Sequence, residues 1–130
     1  MRTLFSILFV VIGFTSSPII AYAADNQPAS AISISIGGIG PGVDSRALAR
    51  VNQLIADGIK QDLFDRFIIF GRGHEGGYSG CVQINPRAAD KKVLLLEKRL
   101  LAIQPNPNTT AYAVERISVC QQQGNEIENP

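Results

Sequence analysis

Residues 63–84 read LFDRFIIFGRGHEGGYSGCVQI, two apolar segments separated by a glycine-rich connection. Aromatic and β-branched residues are frequent in 63–70 and in 78–84, which favours β-strands. The connection at 71–77 (GRGHEGG) is typical of a turn, and Asn85-Pro86 ends the second strand. The sequence therefore predicts a β-hairpin in the middle of the chain.

An amphipathic helix is predicted on each side of this hairpin. The first has apolar residues at helical spacing from Ala47 to Ile59, and either Asp44 or Ser45 could cap it. The second, at 88–103, combines a 4-3-4-3 apolar series with three leucines that we expect to widen its apolar side (Ala89, Val93, Leu96, Leu100, Ile103; Leu94, Leu95, Leu101).

The outer strands complete the pattern. Residues 32–36 (ISISI) alternate with period two, as in a half-buried strand, and residues 111–119 form a last strand before Cys120. The order strand, helix, strand, strand, helix, strand predicts an α+β domain of the ferredoxin-like, split βαββαβ type. Its four-stranded antiparallel sheet has the order 4-1-3-2, with both helices on one face.

The N-terminus is typical of a signal peptide at 1–24. Arg2 precedes the apolar run 4–14, and the small-residue site Ala21-Tyr22-Ala23 follows it. A membrane anchor is the alternative, but a spanning helix needs about 20 apolar residues. We expect an exported, periplasmic or extracellular protein with no stable membrane anchor after cleavage. It would comprise a flexible segment (25–31), one domain (32–120) and a disordered polar tail (121–130).

Cys81 and Cys120 are an even pair in an exported chain, which favours a disulfide. The predicted sheet order argues against it, because strands three and four lie on opposite sides of strand one, about 9.6 Å apart. A disulfide needs Cα atoms within about 7 Å. Either Cys120 lies past its strand and the chain folds back, or the sheet order differs, or the bridge does not form.

The charge balance and the small numbers of His and Cys residues exclude several classes of function. Removing Arg2 from the twelve Lys and Arg residues leaves eleven, against eleven Asp and Glu, so no charge excess attracts nucleic acid. One His and two Cys exclude most multi-ligand metal sites, and we predict no cofactor.

The hairpin connection concentrates residues that form contacts at interfaces. Arg72, His74, Glu75 and Tyr78 lie within seven positions, and His74 is the single histidine of the chain. We interpret this segment as a possible recognition loop. The alternatives are a solvated turn and an acid–base site, which would need a substrate pocket that a hairpin tip rarely offers.

The connection between the first strand and first helix, 37–42 (GGIGPG), is a possible anion-binding loop. Backbone N–H groups of Gly38, Gly40 and Gly42 could surround an anion at a helix N-terminus, with Arg46 adding charge and Arg50 one turn further. The glycine spacing fits neither the dinucleotide nor the P-loop pattern. The alternative is a plain connector.

The sheet face away from the helices is the third candidate surface. We expect Tyr78 and Tyr112 to lie there with Cys81, Gln83 and Arg116.

Residues 65–84, residues 105–112 (PNPNTTAY) and the late Cys120 resemble a group of small exported bacterial proteins. The Glu-Gly-Gly and Pro-Asn-Pro-Asn-Thr-Thr segments carry the resemblance. No activity, cofactor or partner is assigned to that group, so it implies only an exported location and general character.

These observations favour a non-enzymatic module that binds a protein or peptide. One alternative is a protease-inhibiting domain similar to a subtilisin propeptide, which shares this strand and helix order and uses an open sheet face. The other is an enzyme that uses Cys81 or His74.

Overall fold

The computed structural model describes residues 30–121. The predicted signal peptide at 1–24, residues 25–29 of the predicted flexible segment and residues 122–130 of the predicted tail lie outside the described residues. The predicted domain at 32–120 is described throughout.

The elements follow the predicted order and form one antiparallel sheet with two helices. Their bounds are β1 Ala31–Gly38, α1 Ser45–Lys60, β2 Phe64–Arg72, β3 Gly77–Ile84, α2 Asp90–Leu101 and β4 Thr110–Ile117. The strand order is β2-β3-β1-β4, which is the predicted 4-1-3-2 arrangement. The ferredoxin-like α+β fold is therefore confirmed.

The alternation of β1 determines where the core lies. Ile32, Ile34 and Ile36 are fully buried and pack with the apolar faces of both helices, while Ser33 and Ser35 face the opposite side. Seven helical residues belong to this core (Ala47, Val51, Leu54, Ile55, Val93, Leu96, Leu100). Each strand thus has one face against the helices and one open face.

The second helix differs from its prediction at both its start and its apolar face. It begins at Asp90, because Ala88 donates its N–H to the Asn85 carbonyl in a turn. The three leucines expected to widen its buried side are instead exposed, by 48% at Leu94, 61% at Leu95 and 56% at Leu101. The packed stripe of α2 is therefore narrower than the apolar pattern indicates.

The disulfide between Cys81 and Cys120 is present, with Cα atoms 5.7 Å apart. Cys120 lies past β4, and Ser118 accepts the Ser30 N–H at 3.3 Å, so the chain folds back across the end of β1. Cys120 packs with Ala31 and Cys81 in a small cluster on the open face. This is the first of the three alternatives, and it satisfies both the sheet order and the bridge.

Tyr78, Tyr112 and Arg116 lie on the helix side, not on the open face as expected. Tyr78 and Tyr112 are both paired with Ile36, which is buried under the helices. In a strand, residues two apart share a face, so Arg116 lies on the side of Tyr112. Cys81 and Gln83 are on the open face as expected, opposite Ser33 and Ala31.

Candidate functional site

Three connections meet at the end of the sheet where β1 stops. The β1–α1 connection donates the Ile39 N–H to Thr109 in the α2–β4 connection at 2.8 Å. It also donates the Val43 N–H to the Glu75 carbonyl in the hairpin at 2.9 Å. The two candidate loops of the sequence are therefore neighbours in space.

Several N–H groups of the β1–α1 connection, the possible anion-binding loop, are bonded within the protein. The N–H of Gly38 donates to the Gly76 carbonyl at 3.2 Å, and the N–H of Asp44 donates to Thr110 Oγ1 at 2.7 Å. Of the three glycines whose N–H groups are expected to surround an anion, Gly38 thus donates to a neighbouring loop. Of the four predicted residues, Gly42 and Arg46 line a cleft beside α1, whereas Gly38 and Gly40 do not.

The structure places three of the four residues of the possible recognition loop on one exposed surface. Arg72, His74 and Glu75 are exposed at the hairpin end. Tyr78 does not belong to that surface, because it is 8% exposed and its hydroxyl donates to Asn52 Oδ1 of α1 at 2.7 Å. Its ring packs edge-on against Phe67 at 5.3 Å between centroids. The end of the hairpin thus exposes charged side chains, and the ring of Tyr78 is not part of that surface.

The outer edge of β4 is a feature that the sequence reading missed. The N–H of Gly38 donates to Gly76, just before β3, so the backbone N–H and C=O groups of even positions of β1 point toward β3 and those of odd positions point toward β4. The hydrogen bond from the Ile39 N–H to the Thr109 carbonyl agrees with this pattern, because Ile39 is at an odd position and bonds on the β4 side. Because N–H and C=O groups alternate along an antiparallel strand, those of Tyr112 and Val114 point away from β1. A second strand could pair there.

A groove of about 560 Å³ lies beside this edge, between β4 and the end of α2. We name it the β4–α2 groove. Its lining is mainly apolar (Leu101, Ile103, Gln104, Pro105, Pro107, Thr110, Tyr112, Ala113, Val114). Leu101 is 56% exposed, so part of this apolar surface is open to solvent.

Two contacts hold the wall of the groove in place. The hydroxyl of Tyr112 donates to the Leu100 carbonyl in the last turn of α2 at 2.8 Å. One turn earlier, the Arg116 guanidinium is 3.0 Å from the Glu97 carboxylate, whose side chain is 12% exposed. Both contacts join α2 to β4 and leave the strand's outer edge accessible. The relative position of the two elements that line the groove is therefore fixed by the protein's own contacts.

Both buried tyrosines have altered acidity. Burial raises the pKa of Tyr78 to about 12. Burial, with a smaller contribution from Tyr78, raises the pKa of Tyr112 to about 12 as well. Each hydroxyl therefore stays protonated near neutral pH and donates a hydrogen bond, from Tyr78 to Asn52 and from Tyr112 to Leu100.

Neither cysteine of the described residues is a free thiol. Cys81 is bonded to Cys120, so the thiolate of a cysteine enzyme is not formed. Within residues 30–121, no three His, Cys, Asp or Glu side chains are grouped to hold a metal ion. In the same range, no helix has the length and apolar character to cross a membrane.

Comparison with known proteins adds no relative to this description. No family model, curated protein or solved structure matches the chain, so the candidate site is defined by its own geometry.

Proposed function

We propose that this protein is an exported peptide-binding domain that takes an extended peptide as a fifth strand along β4. The observation that carries the proposal is the outer edge of β4, which no strand of residues 30–121 covers, beside the apolar β4–α2 groove. Strand addition of this kind draws affinity from main-chain hydrogen bonds and specificity from pockets for alternate side chains. In this protein the strand edge that offers main-chain hydrogen bonds lies beside the groove that offers room for side chains.

The sheet has two edges, and β4 is the one suited to pairing. β2 carries two register irregularities, between Phe64 and Arg66 and between Ile69 and Gly71. Bulges twist an edge strand and protect it from pairing. β4 pairs with β1 without a register shift from Ala31–Ile117 to Gly38–Thr110. A peptide would therefore meet a regular row of donors and acceptors on β4.

The groove determines which peptides fit. Side chains of an added strand alternate between its two faces. Those on the helix side would lie against Leu101, Tyr112 and Val114. We expect a peptide with apolar residues at alternate positions, of which two or three enter the groove.

The other two functions have weaker support. An enzyme using Cys81 would need that residue as a free thiolate, and His74 lies exposed at a hairpin tip. An inhibitor of the propeptide type would use the open face, where the hydroxyl groups of Ser35 and Ser79 are hydrogen-bonded to each other at 3.1 Å. Neither of these functions would use the β4–α2 groove and the adjacent edge of β4.

The experiment is a selection of random ten-residue peptides on the mature, oxidised protein, followed by calorimetry of the best binder. Leu101→Lys places a charge in the groove and should weaken binding by about tenfold or more, the cost of exposing apolar peptide groups to a charge. Leu95→Lys is the matched control, because Leu95 is equally exposed on α2 but does not line the groove. It should change the dissociation constant by less than about twofold.

A backbone readout separates strand addition from simple apolar contact. N-methylation removes one peptide donor at a time, so loss of binding should follow every second position of the selected peptide. Equal effects of Leu101→Lys and Leu95→Lys, or N-methylation effects with no alternation, would rule out the proposal. So would a selection that yields no specific binder.

A further inference from the structure

A second cavity, of about 900 Å³, lies between the first turns of α1 and the last turn of α2. We name it the arginine cleft. The α2–β4 connection closes its third side through Ile103, Gln104 and Asn106. Its volume falls within the range of about 300–1,000 Å³ of small-molecule sites. It lies on the α1 side of that connection, whereas the β4–α2 groove lies on the β4 side.

Three guanidinium groups line this cleft. Arg46 and Arg50 are four residues apart on α1 and so share one face of the helix, and Arg99 comes from α2. Within residues 30–121, the side chains of Arg50 and Arg99 form no ion pair or hydrogen bond. Two cations from different helices therefore line one cavity without a protein partner in the described part of the chain.

Asp44 is the single carboxylate among the residues that line the cleft, and its oxygens are already used. Oδ1 accepts the N–H groups of Ala47 and Arg46, and Oδ2 accepts the N–H of Asn106, each at 3.0 Å. The pKa of the Asp44 carboxyl is lowered, chiefly by the hydrogen bond from the Ala47 N–H. Three arginines and one aspartate leave the cleft with two positive charges in excess.

The same bonds show that the arginine side chains, not the helix N-terminus, define this site. The first N–H groups of α1 point to Asp44 and are not available to a ligand. An anion would instead meet the planar guanidinium groups, which bind phosphate and carboxylate in a bidentate manner.

We propose that the arginine cleft binds a small organic phosphomonoester. A phosphomonoester carries a charge of about −1.5 to −2 at pH 7, which balances the excess charge, whereas a single carboxylate supplies half of it. Leu54, Ala102 and Ile103 add apolar wall to the cleft. The organic part of the ligand would lie against them, while Arg50 and Arg99 hold the phosphate.

The test uses phenyl phosphate as the probe and benzoate and inorganic phosphate as comparisons, by calorimetry at low ionic strength. Phenyl phosphate should bind more tightly than either, because it alone combines a dianion with an apolar group. Arg50→Gln and Arg99→Gln should each weaken it by about tenfold, the loss of a charge-assisted hydrogen bond. Arg66→Gln is the control, an exposed arginine on β2 that changes the net charge equally.

A second binding measurement distinguishes a lipid headgroup from a soluble molecule as the source of the phosphate group. Phosphatidylcholine vesicles containing phosphatidic acid present the same phosphomonoester as a lipid headgroup. Binding to these vesicles that depends on Arg50 and Arg99 assigns the ligand to a lipid, and binding of phenyl phosphate alone assigns it to a soluble molecule. The proposal fails if phenyl phosphate does not saturate the protein, if benzoate binds equally well, or if Arg66→Gln has the same effect as the cleft variants.

Discussion

Cys120 lies three residues beyond the end of β4, yet its Cα is 5.7 Å from that of Cys81 on β3. The two strands are separated by β1, so the bridge spans the sheet's open face at the end where β1 begins. The disulfide thus fixes the segment that follows β4, and with it one end of the strand that we propose as the peptide-binding edge.

Removing the disulfide should lower the free energy of unfolding substantially. Cys81 and Cys120 are 39 residues apart, and the chain-entropy model gives about 4 kcal/mol for a loop of that size. The measurement is urea unfolding of the double variant Cys81→Ala/Cys120→Ala against the oxidised protein. A loss under about 1 kcal/mol would mean that other contacts of this segment, such as the hydrogen bond from Ser30 to Ser118, hold it without the disulfide.

The architecture was predictable because its signals are local. The alternation in residues 32–36 gives the buried face of β1, and the apolar spacing gives both helices. The same alternation places Tyr78 on the helix side of β3. Val82 is buried under the helices, so Tyr78, four residues earlier, lies on the same face of the strand. The expectation for Tyr78 failed because it followed residue type, an aromatic beside a loop, rather than strand parity.

The candidate sites were less predictable because they depend on tertiary position. Arg99 belongs to the exposed side of α2 in any sequence reading, and only the approach of the two helices brings it to the cleft of Arg46 and Arg50. The same holds for Leu101, which periodicity assigns to the buried side and the fold leaves at the rim of a groove. Sequence indicated one of these features in part, through the arginines of α1.

High pH should destabilise the fold through its two buried tyrosines. The folded pKa values of about 12 lie above the ordinary value of 10.0, so their contribution to stability is full below pH 10 and is lost as the pH rises toward 12. Deprotonation also removes the donors to Asn52 and Leu100. Thermal melts between pH 9 and pH 12 should show a falling midpoint.

The replacement Tyr78→Phe is the control for this effect. The variant should be less stable at neutral pH, because Asn52 loses its donor, and should show a shallower dependence on pH above 10. A melting temperature that stays constant from pH 9 to pH 12 in the unmodified protein would contradict the assignment.

Gly58 should be sensitive to replacement although it lies within a helix. Alanine is favoured over glycine there by about 1 kcal/mol of helix propensity. A Cβ at this position, however, would be 2.5 Å from Cε2 of Phe64 and 2.8 Å from Cδ2 of Leu96, both of which are buried. Overpacking costs about 1–3 kcal/mol, so Gly58→Ala should lower stability in denaturant unfolding.

Gln53→Ala provides the comparison on the same helix. Gln53 is exposed, so its replacement should change stability by less than about 0.5 kcal/mol. If Gly58→Ala proves as stable as Gln53→Ala, the contact between α1 and the ring of Phe64 is looser than the structure places it.

The outward direction of the β4 backbone can be tested with proline. At Ala113 the N–H points toward β1, so Ala113→Pro removes a ladder bond opposite Ser35 and should cost about 1–3 kcal/mol by leaving a carbonyl without its donor. At Val114 the N–H points away from the sheet, and an edge strand tolerates proline at such positions. Val114→Pro should therefore be the more stable variant in thermal melts. It should also lose affinity for a peptide selected on the unmodified protein, because the donor that remains free in the sheet is the one an added strand would use. The reverse order of stability would show that β4 presents the opposite set of groups, and the proposed binding edge would have to be abandoned.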